Sequence, residues 1–118
     1  MTLHDHIGEV YAVALGGDGR LVASGGLDGT VRLWEAESGQ PLTTLHGHTG
    51  GVWGVAVSGD GRLIVSGGLD GTVRLWEAQS GRLLATLQGH ADAMWSVALS
   101  GDGRLVASGG LDGTVRLW

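Results

Sequence analysis

Leu27-Asp28-Gly29-Thr30-Val31-Arg32-Leu33-Trp34 recurs without change at residues 69–76 and again at 111–118. The offset is 42 residues both times. An Asp-Gly pair followed by alternating apolar and polar residues reads as a hairpin turn entering a strand, because glycine supplies the positive φ that a tight turn needs. Outward from this octapeptide the spacing holds. Gly-Asp-Gly-Arg-Leu begins at Gly17, Gly59 and Gly101, and histidines stand at His6, His48 and His90. Residues 7–34 aligned with 49–76 give 20 identities in 28 positions, and 49–76 aligned with 91–118 give 20 again. No gap is needed, so the units stem from recent duplication or deliberate construction.

Each unit reads as four short strands. In the middle unit, residues 52–57 are a β-rich run ended by Ser58-Gly59-Asp60-Gly61. Residues 63–66 follow, ended by Gly67-Gly68-Leu69-Asp70-Gly71. Residues 72–76 alternate, 79–82 form a turn, and 83–87 give the fourth strand. The pattern predicts antiparallel strands a, b, c and d in every unit, twelve in all, and no window carries a helical period. Glycine makes up 24 of the 118 residues, against an average of roughly 7%. That composition alone suggests disorder, but the glycines fall at the turns, and 42% hydrophobic residues supply a core.

Composition excludes several functions. There is no cysteine and no lysine, and seven arginines face twelve acids for a net charge of −5. A disulfide framework, a thiolate nucleophile and a cysteine zinc site are ruled out. So are a phosphate-binding lysine and a Schiff base. Nucleic acid is not an expected partner, because phosphate contacts need clustered basic residues. No stretch approaches the ~20 apolar residues of a helical membrane span. Residues 1–6 lack the positive and apolar regions of a signal peptide. These features predict a cytoplasmic protein with no membrane partner.

A Gly-His pair, some two dozen residues, then tryptophan and an acid, in units of about 42, resembles the WD-repeat family over essentially the whole chain. Gly47-His48 leads to Trp76-Glu77, and Gly89-His90 leads to Trp118. Two departures are visible: Glu35 and Glu77 replace the family's aspartate, and Asp5-His6 stands for Gly-His. The resemblance implies an all-β propeller of four-stranded antiparallel blades around a channel. Residues 1–118 would form a single array, with blade I at about 7–48, blade II at 49–90, blade III at 91–118, and residues 1–6 ending an outer strand d. It also implies a side-chain network in each blade: His6, Ser24, Asp28 and Trp34; His48, Ser66, Asp70 and Trp76; His90, Ser108, Asp112 and Trp118. A half-buried indole N–H and an imidazole need partners, and an aspartate fixes the imidazole tautomer.

Serine, histidine and aspartate together also resemble a hydrolase triad. The set recurs in every unit, however, whereas a catalytic site occurs once, and no oxyanion hole accompanies it. No enzyme activity, cofactor or metal is therefore expected. His4/His6 and His46/His48 are i, i+2 pairs able to share a strand face, but one of each pair belongs to a network. The Gly-Asp-Gly turns lack the acidic density of a calcium loop. The Ser-Gly-Gly-Leu-Asp-Gly runs have no following helix to cradle a phosphate. Arg32, Arg74 and Arg116 alternate along strand c, either as a belt for an acidic partner or as solvated side chains opposite Glu35 and Glu77.

The units differ most in the d–a loop and early strand a. In a propeller those loops and the b–c turns line one end. Tyr11, Trp53 and Trp95 would sit near its inner rim, with Leu27, Leu69 and Leu111 at the turn tips. Such a ring resembles a face for a protein or peptide. The alternative is that the aromatics pack between blades.

Three blades cannot close a ring, since propellers have at least four. Each open blade face covers roughly 300 Å² from strand dimensions. The two faces together leave on the order of 15 kcal/mol of burial unrealised. The sequence therefore predicts completion by oligomerisation. Met1, Thr2 and Leu3, which align with Thr43, Thr44 and Leu45, would supply the missing strand of another chain's last blade. A homotrimer of nine blades is favoured over a homodimer of six. The expected function is a non-catalytic protein-interaction scaffold. One alternative is an engineered or excised propeller fragment with no evolved partner, and another is a hydrolase.

Overall fold

A computed structural model describes residues 2–4, 6–16, 19–88 and 93–118, with the backbone alone at Met94 and Trp95. Each Leu-Asp-Gly-Thr segment turns the chain through a left-handed glycine, with φ of 80° at Gly29, 78° at Gly71 and 78° at Gly113. The aspartate closes the turn from inside. Asp28, Asp70 and Asp112 accept the N–H of Thr30, Thr72 and Thr114 at 3.2, 3.1 and 3.0 Å.

Strands flank every such turn. Blade I is a sheet of β1 (Val10–Gly16), β2 (Leu21–Gly26), β3 (Thr30–Glu35) and β4 (Pro41–His46), in that order. Blade II repeats it with β5 (Val52–Val57), β6 (Leu63–Gly68), β7 (Thr72–Glu77) and β8 (Leu83–Gln88). Blade III holds β9 (Met94–Leu99), β10 (Val106–Gly110) and β11 (Val115–Leu117). The pairings are antiparallel. Among the described residues there are thus eleven strands rather than twelve. Thr2, Leu3 and His4 form no strand.

Glutamate after the strand-c tryptophan has a local reason. Ser38 donates to Glu35 Oε1 at 2.8 Å and accepts the Gln40 N–H. Ser80 does the same between Glu77 and Arg82. The longer acid reaches a serine three residues ahead and ties down the c–d turn.

Period-2 alternation sends side chains to both sheet faces, so each blade packs on its neighbours. Ala23, Val31, Leu33 and Leu45 of blade I meet Val52, Val55, Ile64 and Trp76 of blade II in one core. Val65 and Val73 meet Val97 and Val106 in the next. Closeness here depends on glycine: a Cβ on Gly25 would fall 2.5 Å from Val52 Cγ1.

Strand a carries one extra residue near its start in every blade. Val10 and Ala12 pair with Gly26 and Gly25, which leaves Tyr11 over. Trp53 is left over in the same way, and so is the backbone of residue 95. A bulge re-aims the side chain it carries. All three bulges fall on the aromatic positions that the sequence places at the inner rim.

Candidate functional site

The d–a loop, the b–c turn and strand c converge at one end of blades I and II, and there the network residues meet. In blade II, Trp76 Nε1 donates to Ser66 Oγ at 2.8 Å, and Ser66 Oγ lies 2.7 Å from His48 Nε2. His48 Nδ1 is 3.1 Å from both Asp70 oxygens. A carboxylate only accepts, so Nδ1 carries the proton in the neutral ring, and Nε2 accepts from the serine hydroxyl. Blade I repeats the chain with Trp34, Ser24, His6 and Asp28, at 3.1, 2.7 and 3.2 Å. In blade III, Trp118 Nε1 donates to Ser108 at 2.8 Å. Asp112 caps its own turn, and His90 lies outside the described residues.

One residue type that the sequence reading left out joins these sets. Thr30 and Thr72 donate their hydroxyls to Asp28 and Asp70, both at 2.8 Å. The Asp-x-Thr spacing was the available signal. Arg32 and Arg74 are half-buried rather than solvated opposite Glu35 and Glu77. Arg32 donates to Thr44 and Arg74 to Thr72, and each Nη2 lies 3.9 Å from the turn aspartate.

The electrostatics follow from this wiring. Burial pushes the Asp28 carboxyl up, but hydrogen bonds from Thr30, the Ile7 amide and His6 outweigh it and hold the group at about 2. Asp70 is likewise lowered: burial acts upward, against the Thr72 hydroxyl and amide and the Thr49 amide. Burial lowers His48, and the charge of Asp70 only partly opposes it. This Asp–His–Ser order matches a hydrolase, yet Ser66 is sealed beneath an indole and away from solvent. Among the described residues, no group of three or more His, Asp or Glu could hold a metal ion.

The rim residues stand above the networks. Tyr11 and Trp53 meet edge to face across the blade I–II boundary, with ring centroids 5.8 Å apart and planes at 84°. The contact is between blades, and Tyr11 is also exposed. Leu27, Leu69 and Leu111 are exposed at the turn tips. The side chain of Trp95 lies outside the described residues, as do Met1 and Asp5. At the opposite end, Gly19, Arg20, Glu35, Ala36 and Glu37 line a cavity of about 530 Å³, which sequence reasoning did not anticipate.

The pattern described as the WD domain, G-beta repeat matches residues 1–35, 39–77 and 81–118. The chain belongs to this family. WD domains of this kind are characteristically non-catalytic, in keeping with the sealed serine. Eukaryotic translation initiation factor 3 subunit I of Phaeosphaeria nodorum is 44% identical over 43 residues, which is 36% of this chain and 13% of that one. The structure of U3-55K superposes with a TM-score of 0.90 at 33% identity, over 96% of this chain and 35% of that chain. The crystal structure of the RRP9 WD40 repeats gives 0.87 at 33% identity, over 93% and 33%.

This WD chain therefore spans about a third of the length of the solved relatives, and that corrects several expectations. By these shares the U3-55K chain is roughly 320 residues long, room for seven units of the WD period. Such relatives carry their blades in one polypeptide. Ring completion by oligomerisation, as a nine-bladed homotrimer or a six-bladed homodimer, is not supported. Strand exchange by Met1, Thr2 and Leu3 loses its basis with it. Closure within one chain has a simple physical advantage, since it does not depend on protomer concentration. A designed origin conflicts with the same likeness. The cytoplasmic placement falls too, because it is at odds with the relatives found, U3-55K and RRP9.

Proposed function

We propose that these blades are an arc of a larger single-chain WD propeller that serves as a non-catalytic protein-interaction scaffold. The observation that carries it is the contrast between equivalent positions. Val13 is 70% exposed and Val115 is 79% exposed, whereas their repeat counterparts Val55 and Val73 are 8% and 0% exposed. Blade faces that are apolar by sequence and open on both sides are built for further blades. In this reading the blades run 7–48, 49–90 and 91–118. The histidine networks brace each blade, and Tyr11, Leu27, Trp53, Leu69, Trp95 and Leu111 contribute to the partner face.

The test places single cysteines at Val13, Val115 and Leu27 in the intact protein and follows labelling by a maleimide. Cysteines at 13 and 115 should be protected, and the one at 27 should react freely. Equal reactivity at all three positions would show that no blade covers these faces.

A further inference from the structure

The three units are nearly constant except at the d–a loops, so the differences there carry information. Two residues before each bulge stand Glu9, Gly51 and Ala93. A carboxylate is thus present in one blade of three, on an otherwise shared frame. The Leu27 N–H donates to Glu9 O, as the Leu69 N–H does to Gly51 O and the Leu111 N–H to Ala93 O. In blade II a Cβ at this position would lie 3.3 Å from Tyr11 Cε2, 3.4 Å from Leu69 Cδ1 and 3.5 Å from Trp53 Nε1. The position is therefore walled by a turn leucine and by bulge aromatics. In blade I that frame sets Glu9 beside Leu27 and Tyr11. Partial desolvation, then the Glu9 charge and a hydrogen bond from the Tyr11 hydroxyl to the Glu9 carboxylate, push the Tyr11 phenol up.

Glu9, Tyr11 and Leu27 are all exposed. At this end of blades I and II the arginines are already engaged: Arg32 with Thr44 and Asp28, Arg74 with Thr72 and Asp70. The chain has no lysine. A carboxylate that has no arginine partner among the described residues, set between an apolar side chain and the Tyr11 ring, complements a cation on an apolar stem. An acid would be repelled. A small inorganic cation would gain nothing from Leu27 or the ring.

We infer that Glu9, with Leu27 and Tyr11 beside it, receives an arginine or lysine side chain of an extended peptide, which rests on reading this end of the blades as the interaction face. The alkyl stem lies along Leu27 and the charge meets both Glu9 and the Tyr11 ring.

Immobilised hexapeptide libraries test this, with one position fixed as Arg, Lys, Glu or Leu and the others randomised. They are probed with the intact protein at physiological ionic strength. The Arg- and Lys-fixed libraries should retain about tenfold more protein than the Glu- and Leu-fixed ones, the combined effect of one exposed ion pair and one cation–π contact. Glu9→Gln should cut that preference to the roughly threefold that the ring alone supplies, without unfolding the protein, since glutamine keeps the backbone carbonyl and an oxygen able to accept the Tyr11 hydroxyl. Retention with no cationic preference, or a preference undiminished by Glu9→Gln, overturns the inference while leaving an interaction face in place. Retention by no library overturns the underlying reading as well.

Discussion

Ser66 is the junction of the blade II network, and Ser66→Ala is the sharpest probe of what that network contributes. The hydroxyl accepts from Trp76 Nε1 at 2.8 Å and lies 2.7 Å from His48 Nε2. Ser66 and Trp76 are fully buried and His48 nearly so. Alanine fills almost the same space, so packing changes little. What changes is that an indole N–H and an imidazole nitrogen each lose a partner where water cannot replace it. At about 1–3 kcal/mol for each of the two buried groups left unsatisfied, the expected loss is about 2–6 kcal/mol. Urea unfolding of the intact protein, followed by tryptophan fluorescence, measures it. Trp76→Phe supplies the second arm of a double-mutant cycle. In the Ser66→Ala background it removes the stranded N–H, so the double variant should be more stable than the sum of the two single losses predicts. A Ser66→Ala variant within about 0.5 kcal/mol of the wild type, the range of ordinary surface changes, would refute the reasoning. So would strict additivity in the cycle.

Gly25→Ala should cost roughly 1–3 kcal/mol by overpacking, since its Cβ would meet Val52 Cγ1 at 2.5 Å. A Cβ added at Gly109, the counterpart in blade III, would meet nothing within 4 Å, yet Gly109→Ala should be equally costly in the intact protein if a further blade packs there. Denaturation midpoints of the two variants decide this, and a neutral Gly109→Ala would count against the larger propeller. Stability should also depend on pH in two steps. Burial holds folded His48 below its ordinary 6.5, so the unfolded chain binds that proton more readily. The contribution is full above 6.5 and falls as the pH drops below it, and a urea midpoint that stays flat from pH 7 to 5 would exclude it. Asp28 moves from an ordinary 3.8 to about 2 on folding. Its contribution is present above 3.8 and is lost as the pH falls towards 2, a loss that Asp28→Asn should remove from the acid limb of the same curve.

Much of this was legible because turn chemistry is local. The Asp28-Gly29-Thr30 turn needs a left-handed glycine and an aspartate that accepts the following amide, and all of that lies within three residues. The His48–Ser66 contact spans 18 residues, yet the 42-residue period made its partners nameable through the family resemblance. Legibility failed where the outcome depended on neighbours in space. Whether Arg32 is solvated or tied to Thr44 turns on the register of β3 against β4, which no single strand reveals. The error over assembly had a different root. Exposed apolar faces at Val13 and Val115 state that something must cover them, but such a face looks the same whether its cover is another chain or more of its own.

Repetition and variation have separate consequences in this chain. The repeated residues build the junctions: glycines such as Gly25 admit the next blade's valines, and the buried serines anchor the strand-c tryptophans. Those parts cannot drift without cost, because each faces a fixed partner. The bulge residue and the loop before it lie at one end, outside the strand pairing, and there the near-identical units differ: Glu9 and Tyr11 are exposed, and half-buried Trp53 meets Tyr11. A bulge is what makes this separation possible. It sets one side chain outside the pairing register, so that aromatic identity there is decoupled from the sheet that carries it. Specificity in such a molecule is therefore to be sought in the few positions where near-identical blades disagree, and Glu9 is the only one of the three residues at its position that brings a charge.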